Sequence, residues 1–286
     1  MKLAPSLVLL LLLTITACGT AVAADNTLNR IRTTQQIRLG YFEGSAPFSF
    51  TGTDKVPQGY SVDLCERVTQ SIQRQLGLTK LKMVWVPLGL KDRIEAIRAG
   101  RIDIECGTTT WSFTRQKLVD FSLITFVDGG SLLATDDSGI KRIADLQGKR
   151  IAVIRGTTTE RALVEALNRG KITADVIRID ARERGIGLLK EGGVDAFASD
   201  RFLLFNLMKM AESPRRLHLI DEDFSVEPYA LAVPRNDPDF RLAVNRGLAE
   251  LFRSGDINQV YKRWLGQFGD PSLLLSALYI LQAVPE

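Results

Sequence analysis

Short apolar runs alternate with amphipathic helical segments, and this alternation constrains the fold more than any other feature. Residues 37–41, 82–86 and 102–106 have the length and composition of buried strands. Between them, segments 60–76 and 90–97 repeat apolar residues with the 3.6-residue period of a helix. Because strands and helices alternate, the chain is predicted to be an α/β protein with largely parallel sheets.

The same order of elements starts again near residue 149, which predicts a second α/β unit. Two extended apolar segments, 125–134 and 229–233, lie between the units and after the second one, so the chain is predicted to cross twice between two lobes. Two amphipathic helices, 240–252 and 257–268, are expected to return to the first lobe. The predicted organisation is a signal peptide at 1–23, the first part of lobe 1 at 30–127, lobe 2 at 128–231, the return to lobe 1 at 232–268 and an apolar tail at 269–286.

Composition excludes several classes of function. The 286 residues carry a formal charge of only +4, and the basic residues are not clustered, so no nucleic-acid partner is expected. The chain has one histidine, His218, which argues against a histidine base or a histidine metal site. We therefore expect neither a metal nor a cofactor.

The N-terminus has the features of a secretion signal. Lys2 precedes an unbroken apolar run at 7–13 that is too short to span a bilayer as a mature helix. The small residues at 21–23 favour simple cleavage, whereas Cys18 within a lipobox-like sequence would instead carry a lipid. Either route predicts a protein that acts outside the cytoplasm, in the periplasm.

Two further cysteines, Cys65 and Cys106, remain once the N-terminal segment is set aside. In an oxidising compartment an even pair favours a disulfide, and two buried free thiols are the alternative. The apolar tail at 272–284 also has two interpretations. It either packs on the core or forms a surface for a membrane partner.

Polar residues follow the predicted strand ends, where open α/β sheets bind ligands. The sequence GTTT at 107–110 precedes Arg115, and Thr157 with Glu160 forms a capping box that starts a helix. A helix N-terminus and a guanidinium both suit a carboxylate, whereas Asp200 at the next strand end suits an ammonium group. Opposite charges at neighbouring strand ends match an α-amino acid.

Several motifs extend this interpretation to a family. Over residues 30–268 the chain resembles the bacterial extracellular solute-binding proteins of family 3, and within them the glutamate/aspartate-binding branch. The resemblance implies a two-lobed periplasmic-binding-protein type II fold, each lobe a mostly parallel sheet with flanking helices, joined by two hinge strands. It also implies a monomer that binds a polar L-α-amino acid and delivers it to the permease of an ABC importer. The motifs that carry it are APFSF, GYSVDLC, RIEAIRAGRIDIECGTTT, TRQKLVDFS, ADLQGKRIAV and GTTTE.

The resemblance also implies roles for individual residues. Arg115 would bind the α-carboxylate, helped by Thr110 and by the backbone at Thr157 or Thr158. The α-amino group would be held by Asp200 together with the region of Thr108. Arg93 would lie near the cavity, either reaching an acidic ligand side chain or serving at the rim.

The chain departs from the family pattern where the ligand side chain would lie. Phe42 and Leu90 replace polar residues that glutamate/aspartate binders tend to carry, and Arg184 stands near a position often held by histidine. Phe42, Phe48 and Trp111 would either wall in the ligand or pack in the core. Glutamate, aspartate, glutamine and more apolar amino acids therefore all remain open as ligands.

Two other classes of function compete with transport. A periplasmic enzyme of the dehydratase type would need a general acid or base, for which Glu43, Glu105 and Asp200 are the candidates. Glu105, beside Cys106 in a strand, is expected to point away from the cleft. A ligand-sensing module that signals to a membrane receptor is the third interpretation.

Overall fold

The computed structural model describes residues 26–211 and 216–285, so the predicted signal peptide and Cys18 lie outside the described residues. The strands are β1 (Gln36–Phe42), β2 (Gly44–Ser45), β3 (Ser49–Thr51), β4 (Pro57–Gln58), β5 (Lys82–Leu88), β6 (Ile104–Glu105), β7 (Asp120–Thr135), β8 (Arg150–Ile154), β9 (Asp175–Ile179), β10 (Ala196–Asp200), β11 (Leu217–Leu219) and β12 (Ser225–Val233). The helices are α1 (Thr27–Thr34), α2 (Tyr60–Gln75), α3 (Arg93–Arg98), α4 (Phe113–Gln116), α5 (Thr158–Gly170), α6 (Arg182–Glu191), α7 (Arg201–Met210), α8 (Pro238–Ser254), α9 (Ile257–Leu265) and α10 (Leu273–Leu281).

The main sheet runs in the order β5-β1-β6-β12-β7-β10-β8-β9, with β11 paired to β7. Strands β5, β1 and β6 are parallel and form what we call the first half, whereas the parallel strands β10, β8 and β9 form the second half. Between them, β7 and β12 pair antiparallel and carry the chain from one half to the other. The α/β prediction with mostly parallel strands and two crossing segments is therefore confirmed.

Each half has its own apolar core, as the period of its helices predicts. Leu64, Val68 and Ile72 of α2 are fully buried in the core of the first half. In the second half, Leu163 of α5 packs in a cluster with Val153 of β8. Burying one such side chain contributes about 1.5–3 kcal/mol, so both halves have a source of stability of their own.

The C-terminal helix α10 is both packed and exposed. Tyr279 is 4% exposed, and its hydroxyl lies 2.7 Å from the hydroxyl of Tyr60, which ties the helix to the first half. The other face is open, with Leu273 at 92% and Leu281 at 79% exposure. The tail therefore packs on the core through one face, and a role of the exposed face toward a membrane partner stays a prediction. No helix in the described ranges is both long and apolar enough to cross a membrane.

The predicted disulfide between Cys65 and Cys106 is present. Its Cα atoms lie 6.1 Å apart, within the usual range for a bridge, and both cysteines are fully buried. The bond joins α2 to the residue just before Gly107, where the threonine-rich segment begins. It therefore anchors this segment to the core of the first half.

Removing this disulfide is expected to destabilise the protein. The bridge closes a segment with a sequence separation of 41 residues, and restricting the unfolded chain to that extent contributes about 4 kcal/mol. The Cys65→Ala/Cys106→Ala variant should lose about 2–4 kcal/mol of unfolding free energy in a urea titration. Reduced wild-type protein should lose a similar amount. A variant as stable as the oxidised wild type would contradict this account.

Candidate functional site

The segment after β6 presents hydroxyl groups and a guanidinium to the space between the halves. Thr110 is 5% exposed, and its backbone is fixed to the crossing strand β12 by an isolated bridge with Tyr229. Ser112 caps the short helix α4 by accepting from the backbone N–H of Arg115. The Nη1 group of Arg115 donates to the carbonyl oxygen of Thr110 over 2.8 Å, which holds the guanidinium beside the threonines.

The N-terminus of α5 faces the same space from the second half. The backbone N–H of Glu160 donates to Thr157 Oγ1 over 3.0 Å, so the predicted capping residue is confirmed. The first N–H groups of a helix have no intrahelical acceptor, and the helix dipole places partial positive charge there. Thr158 and Thr159 therefore begin a helix that suits a carboxylate.

Asp200 lies at the end of β10 and is 7% exposed. Its Oδ1 accepts from Thr159 Oγ1 over 2.7 Å, and its Oδ2 accepts from the Tyr229 hydroxyl over 2.5 Å. The Tyr229 hydroxyl also lies 3.3 Å from Oδ2 of Asp128. Burial, reinforced by repulsion from Asp200, raises the pKa of Asp128 well above its ordinary value. Of these two carboxyl groups, Asp200 lines the cavity and Asp128 does not.

Three arginines meet at the cavity, the buried Arg93 and Arg182 and the partly buried Arg115, and none of them forms an ion pair within the described residues. Arg93 from α3 is 6% exposed, and its guanidinium makes no hydrogen bond to any residue of those ranges. Arg182 from α6 donates to Ser45 Oγ over 2.8 Å, but its buried Nε has no acceptor there. Burial lowers the pKa of each guanidinium, and with repulsion from Arg93 it brings the pKa of Arg115 to about 9. Two buried cations and a partly buried third, with so few acceptors around them, favour an anionic ligand.

These groups line one cavity between the halves. Its volume of about 20 Å³ is enough for about one water molecule, so an amino acid enters only if the walls move apart. Among the residues of the described ranges, no group of three His, Cys, Asp or Glu side chains is placed to hold a metal ion. The lining residues are Arg93, Thr108, Thr110, Arg115, Ile154, Thr157, Thr158, Thr159, Arg182, Ala198, Ser199 and Asp200.

The structure thus gathers seven residues singled out from the sequence and leaves others outside the cavity, among them Phe48, which is fully buried in the core of the first half. Phe42 is 2% exposed in an apolar cluster of the first half, and Trp111 packs edge-on against Phe113 with ring centroids 5.0 Å apart. The Arg184 side chain is 58% exposed and lies 3.5 Å from Glu191. These residues therefore do not line the cavity. The seven that do are Arg93, Thr108, Thr110, Arg115, Thr157, Thr158 and Asp200.

Helix α6 contributes Arg182 to the cavity, whereas the sequence predicted Arg184, two positions later. On a helix, residues two apart point to different sides. Because Arg182 shares the buried side of α6 with Gly185 and Leu189, Arg184 turns to solvent. The buried positions at intervals of three and four residues are the signal that could have identified Arg182.

Glu105 does not line the cavity, which is consistent with the expectation that it points away from the cleft. Ile104 and Cys106 face the core of the first half, so the alternation of a strand turns Glu105 to the opposite side. It is 1% exposed, lies close to Phe42 and Gly107, and neither carboxyl oxygen has a hydrogen-bond partner. Burial raises the pKa of Glu105 to about 7, although Arg93 lowers it in part.

This carboxyl predicts a pH dependence of stability. The folded state keeps the Glu105 proton up to about pH 7, whereas the unfolded chain releases it near pH 4.5. The resulting stabilisation is complete below pH 4.5 and is lost as the pH rises through about 7. Between pH 5 and pH 8 the Glu105→Gln variant should therefore gain about 2–3 kcal/mol of unfolding free energy relative to wild type.

The control for this experiment is Glu95→Gln, because Glu95 is an exposed glutamate on α3 whose side chain is 62% accessible. Urea titrations at both pH values measure the unfolding free energy. If the difference from wild type changed with pH by the same amount for both variants, the assignment to Glu105 would be wrong.

Comparisons with known proteins agree with the fold. Residues 37–267 match the family model of the bacterial extracellular solute-binding proteins, family 3. The chain is 35% identical to an L-glutamate/L-aspartate-binding protein of Pseudomonas aeruginosa, with 93% of this chain and 89% of that protein covered. It is 29% identical to a glutamate/aspartate import solute-binding protein of Escherichia coli, with 85% and 81% covered.

Solved structures show the same likeness. An ancestral amino-acid-binding protein, described as a precursor of cyclohexadienyl dehydratase, superposes with a TM-score of 0.72 at 25% identity, covering 84% of this chain and 99% of that one. An ancestral arginine-binding protein bound to arginine gives the same TM-score and identity, with 81% and 99% covered. The fold is thus that of the type II periplasmic amino-acid-binding proteins, and the chain belongs to the bacterial extracellular solute-binding proteins of family 3.

Proposed function

We propose that this protein binds an L-α-amino acid between its two halves and delivers it to the permease of an ABC importer. The observation that carries the proposal is the pairing of Arg115 and Asp200 in one cavity. Arg115 would hold the α-carboxylate with the N-terminus of α5, and Asp200 would hold the ammonium group. Three or four such charge-assisted hydrogen bonds suffice for the roughly −8 kcal/mol of a micromolar complex.

The charges of the lining favour an amino acid with an acidic side chain. Three arginines line the cavity against the carboxylate of Asp200, and the buried carboxylate of Glu227 contacts the lining threonines, which leaves an excess of one positive charge. A ligand with two carboxylates and one ammonium group balances this excess better than a zwitterion without side-chain charge. Phe42 and Leu90, which suggested a more apolar ligand, pack in apolar clusters and do not line the cavity. Arg93 and Arg182 are the proposed partners of the side-chain carboxylate.

Delivery would depend on opening and closing of the halves. Contacts across the cleft join Arg182 to Ser45 and Lys91 to Asp180, the latter over 2.6 Å. A ligand that touches both halves favours the closed state, and β7 and β12 would act as the hinge. The lobe boundaries at 127/128 and 231/232 lie within or at the end of these strands and belong to the same proposal.

Isothermal titration calorimetry with the twenty L-amino acids tests the proposal. We expect 1:1 binding of L-glutamate or L-aspartate with a micromolar or lower Kd, and binding of L-leucine at least about 100-fold weaker. Stronger binding of a neutral amino acid would overturn the assignment of the side-chain end. If none of the twenty bound, the proposed function would be wrong.

The same samples separate transport from catalysis. In an importer component the ligand is recovered unchanged after incubation, whereas an enzyme that used Glu105 or Asp200 as an acid or base would form a product visible by NMR.

Capture of a permease rather than a sensor kinase from membranes would support delivery over signalling. Size-exclusion chromatography tests the proposed monomer, and N-terminal sequencing of periplasmic protein tests cleavage after residue 23 and the alternative at Cys18.

A further inference from the structure

Glu227 is a buried carboxylate with an unusual set of partners. It lies on the crossing strand β12, is 1% exposed, and forms no ion pair with any residue of the described ranges. Its Oε1 accepts from Ser225 Oγ over 2.6 Å. Its Oε2 accepts from two hydroxyls, Thr110 Oγ1 over 2.7 Å and Thr158 Oγ1 over 2.6 Å. Among the residues that the structure describes, the Glu227 carboxylate accepts from hydroxyls alone, and burying a charge in this way is costly, which points to a function.

The two threonines come from opposite sides of the cleft. Thr110 follows β6 of the first half, and its segment is fixed to β12 by a 2.7 Å bond from the Trp111 N–H to the Pro228 carbonyl. Thr158 is the first residue of α5 in the second half. One carboxylate oxygen on a crossing strand therefore binds one hydroxyl from each half.

The number of hydroxyl protons on Thr110 and Thr158 determines which hydrogen bonds these two side chains can form with a ligand. A hydroxyl has one proton and two acceptor lone pairs, whereas an ionised carboxylate only accepts. If Thr110 and Thr158 both donate to Glu227, neither has a proton left, and the 3.0 Å contact between their oxygens carries none. Both hydroxyls line the cavity. They can then accept a hydrogen bond from the ligand but cannot donate one.

We propose that Glu227 is a positioning residue that joins Thr110 and Thr158 across the cleft and makes both hydroxyls acceptors for the ligand's ammonium group. The inference rests on the proposed function. It changes the role of the Thr110 side chain, which the family resemblance placed beside the α-carboxylate. The ammonium group would meet the threonine oxygens and Asp200, and the α-carboxylate would meet Arg115.

The test compares L-glutamate with glutarate, which has the same two carboxylates but no ammonium group. In Glu227→Met, the threonine protons are freed toward the cavity. We expect the preference for L-glutamate over glutarate to fall about tenfold or more. In Glu227→Gln the amide oxygen still accepts, so most of the preference should return. A purely structural role would weaken both ligands equally and leave their ratio unchanged, which would overturn the inference.

Two further variants keep the test decisive. Ser225→Ala leaves the threonine contacts intact, so its ratio should equal that of wild type. If Glu227→Met fails to fold, Thr158→Val and Thr158→Ser take its place, and the inference requires the loss of preference in the first and its retention in the second. Equal ratios in that pair would overturn it.

A measurement without ligand separates this inference from the proposed function. The Glu227→Met protein has lost a contact across the cleft, so small-angle X-ray scattering should give a larger radius of gyration than for wild type. An unchanged radius would overturn the proposed contact between the halves. Failure of wild-type protein to bind any of the twenty amino acids would instead reject the function.

Discussion

Replacing Arg115 by methionine is expected to weaken amino-acid binding by about 100-fold or more. One guanidinium donor is bound to the Thr110 carbonyl, so the rest of the group is free to bind a carboxylate through two parallel hydrogen bonds. Two charge-assisted hydrogen bonds contribute about 3–6 kcal/mol together, which corresponds to roughly 10²–10⁴ in Kd. Methionine fills similar space but offers no donor.

Two variants serve as comparisons for this prediction. Arg115→Lys keeps the charge but loses the planar pair of donors, so its affinity should lie between wild type and Arg115→Met. Arg184→Met removes an exposed arginine outside the cavity and should leave the Kd unchanged. Calorimetry measures all three. If Arg115→Met bound the amino acid within about threefold of wild type, Arg115 would not hold the α-carboxylate.

Replacing Asp200 by asparagine is the second large change, and we expect a loss of about 100-fold. The amide has nearly the same shape and can still accept from Thr159 Oγ1 and donate to the Tyr229 oxygen, so the fold should persist. What disappears is the negative charge that faces the ammonium group. The variant therefore removes affinity for the zwitterion without opening the cavity.

A ligand without the ammonium group separates this effect from general damage. Glutarate should bind Asp200→Asn at least as well as it binds wild type, whereas L-glutamate should bind it far less well. The measurement is a pair of calorimetric titrations for each protein. A parallel loss of both ligands would mean that Asp200 supports the structure of the cavity rather than the ammonium group.

The position of the cavity followed from the sequence because it depends on local rules. Thr110 follows β6 and Asp200 is the last residue of β10, and parallel strands end at the same edge of a sheet. The Thr157 cap is a local signal as well. Residues that such local signals identify could be assigned to the cavity without knowledge of tertiary packing.

Arg182 and Glu227 could not be placed in this way. The choice between Arg182 and Arg184 depends on how α6 is rotated against the sheet, which tertiary packing decides. Glu227 precedes the apolar segment that marked the second crossing, and β12 in fact begins at Ser225. Its role appears only when Thr110 and Thr158, 48 positions apart in the chain, meet at one oxygen.

The most direct measurement is a crystal structure of the protein with the amino acid that binds most tightly in the calorimetric series. The account predicts one ligand molecule between the halves, its α-carboxylate oxygens about 3 Å from the Arg115 guanidinium and its ammonium nitrogen about 3 Å from Asp200. An amino acid bound outside this cavity, or one whose α-carboxylate contacts neither Arg115 nor the N-terminus of α5, would contradict it.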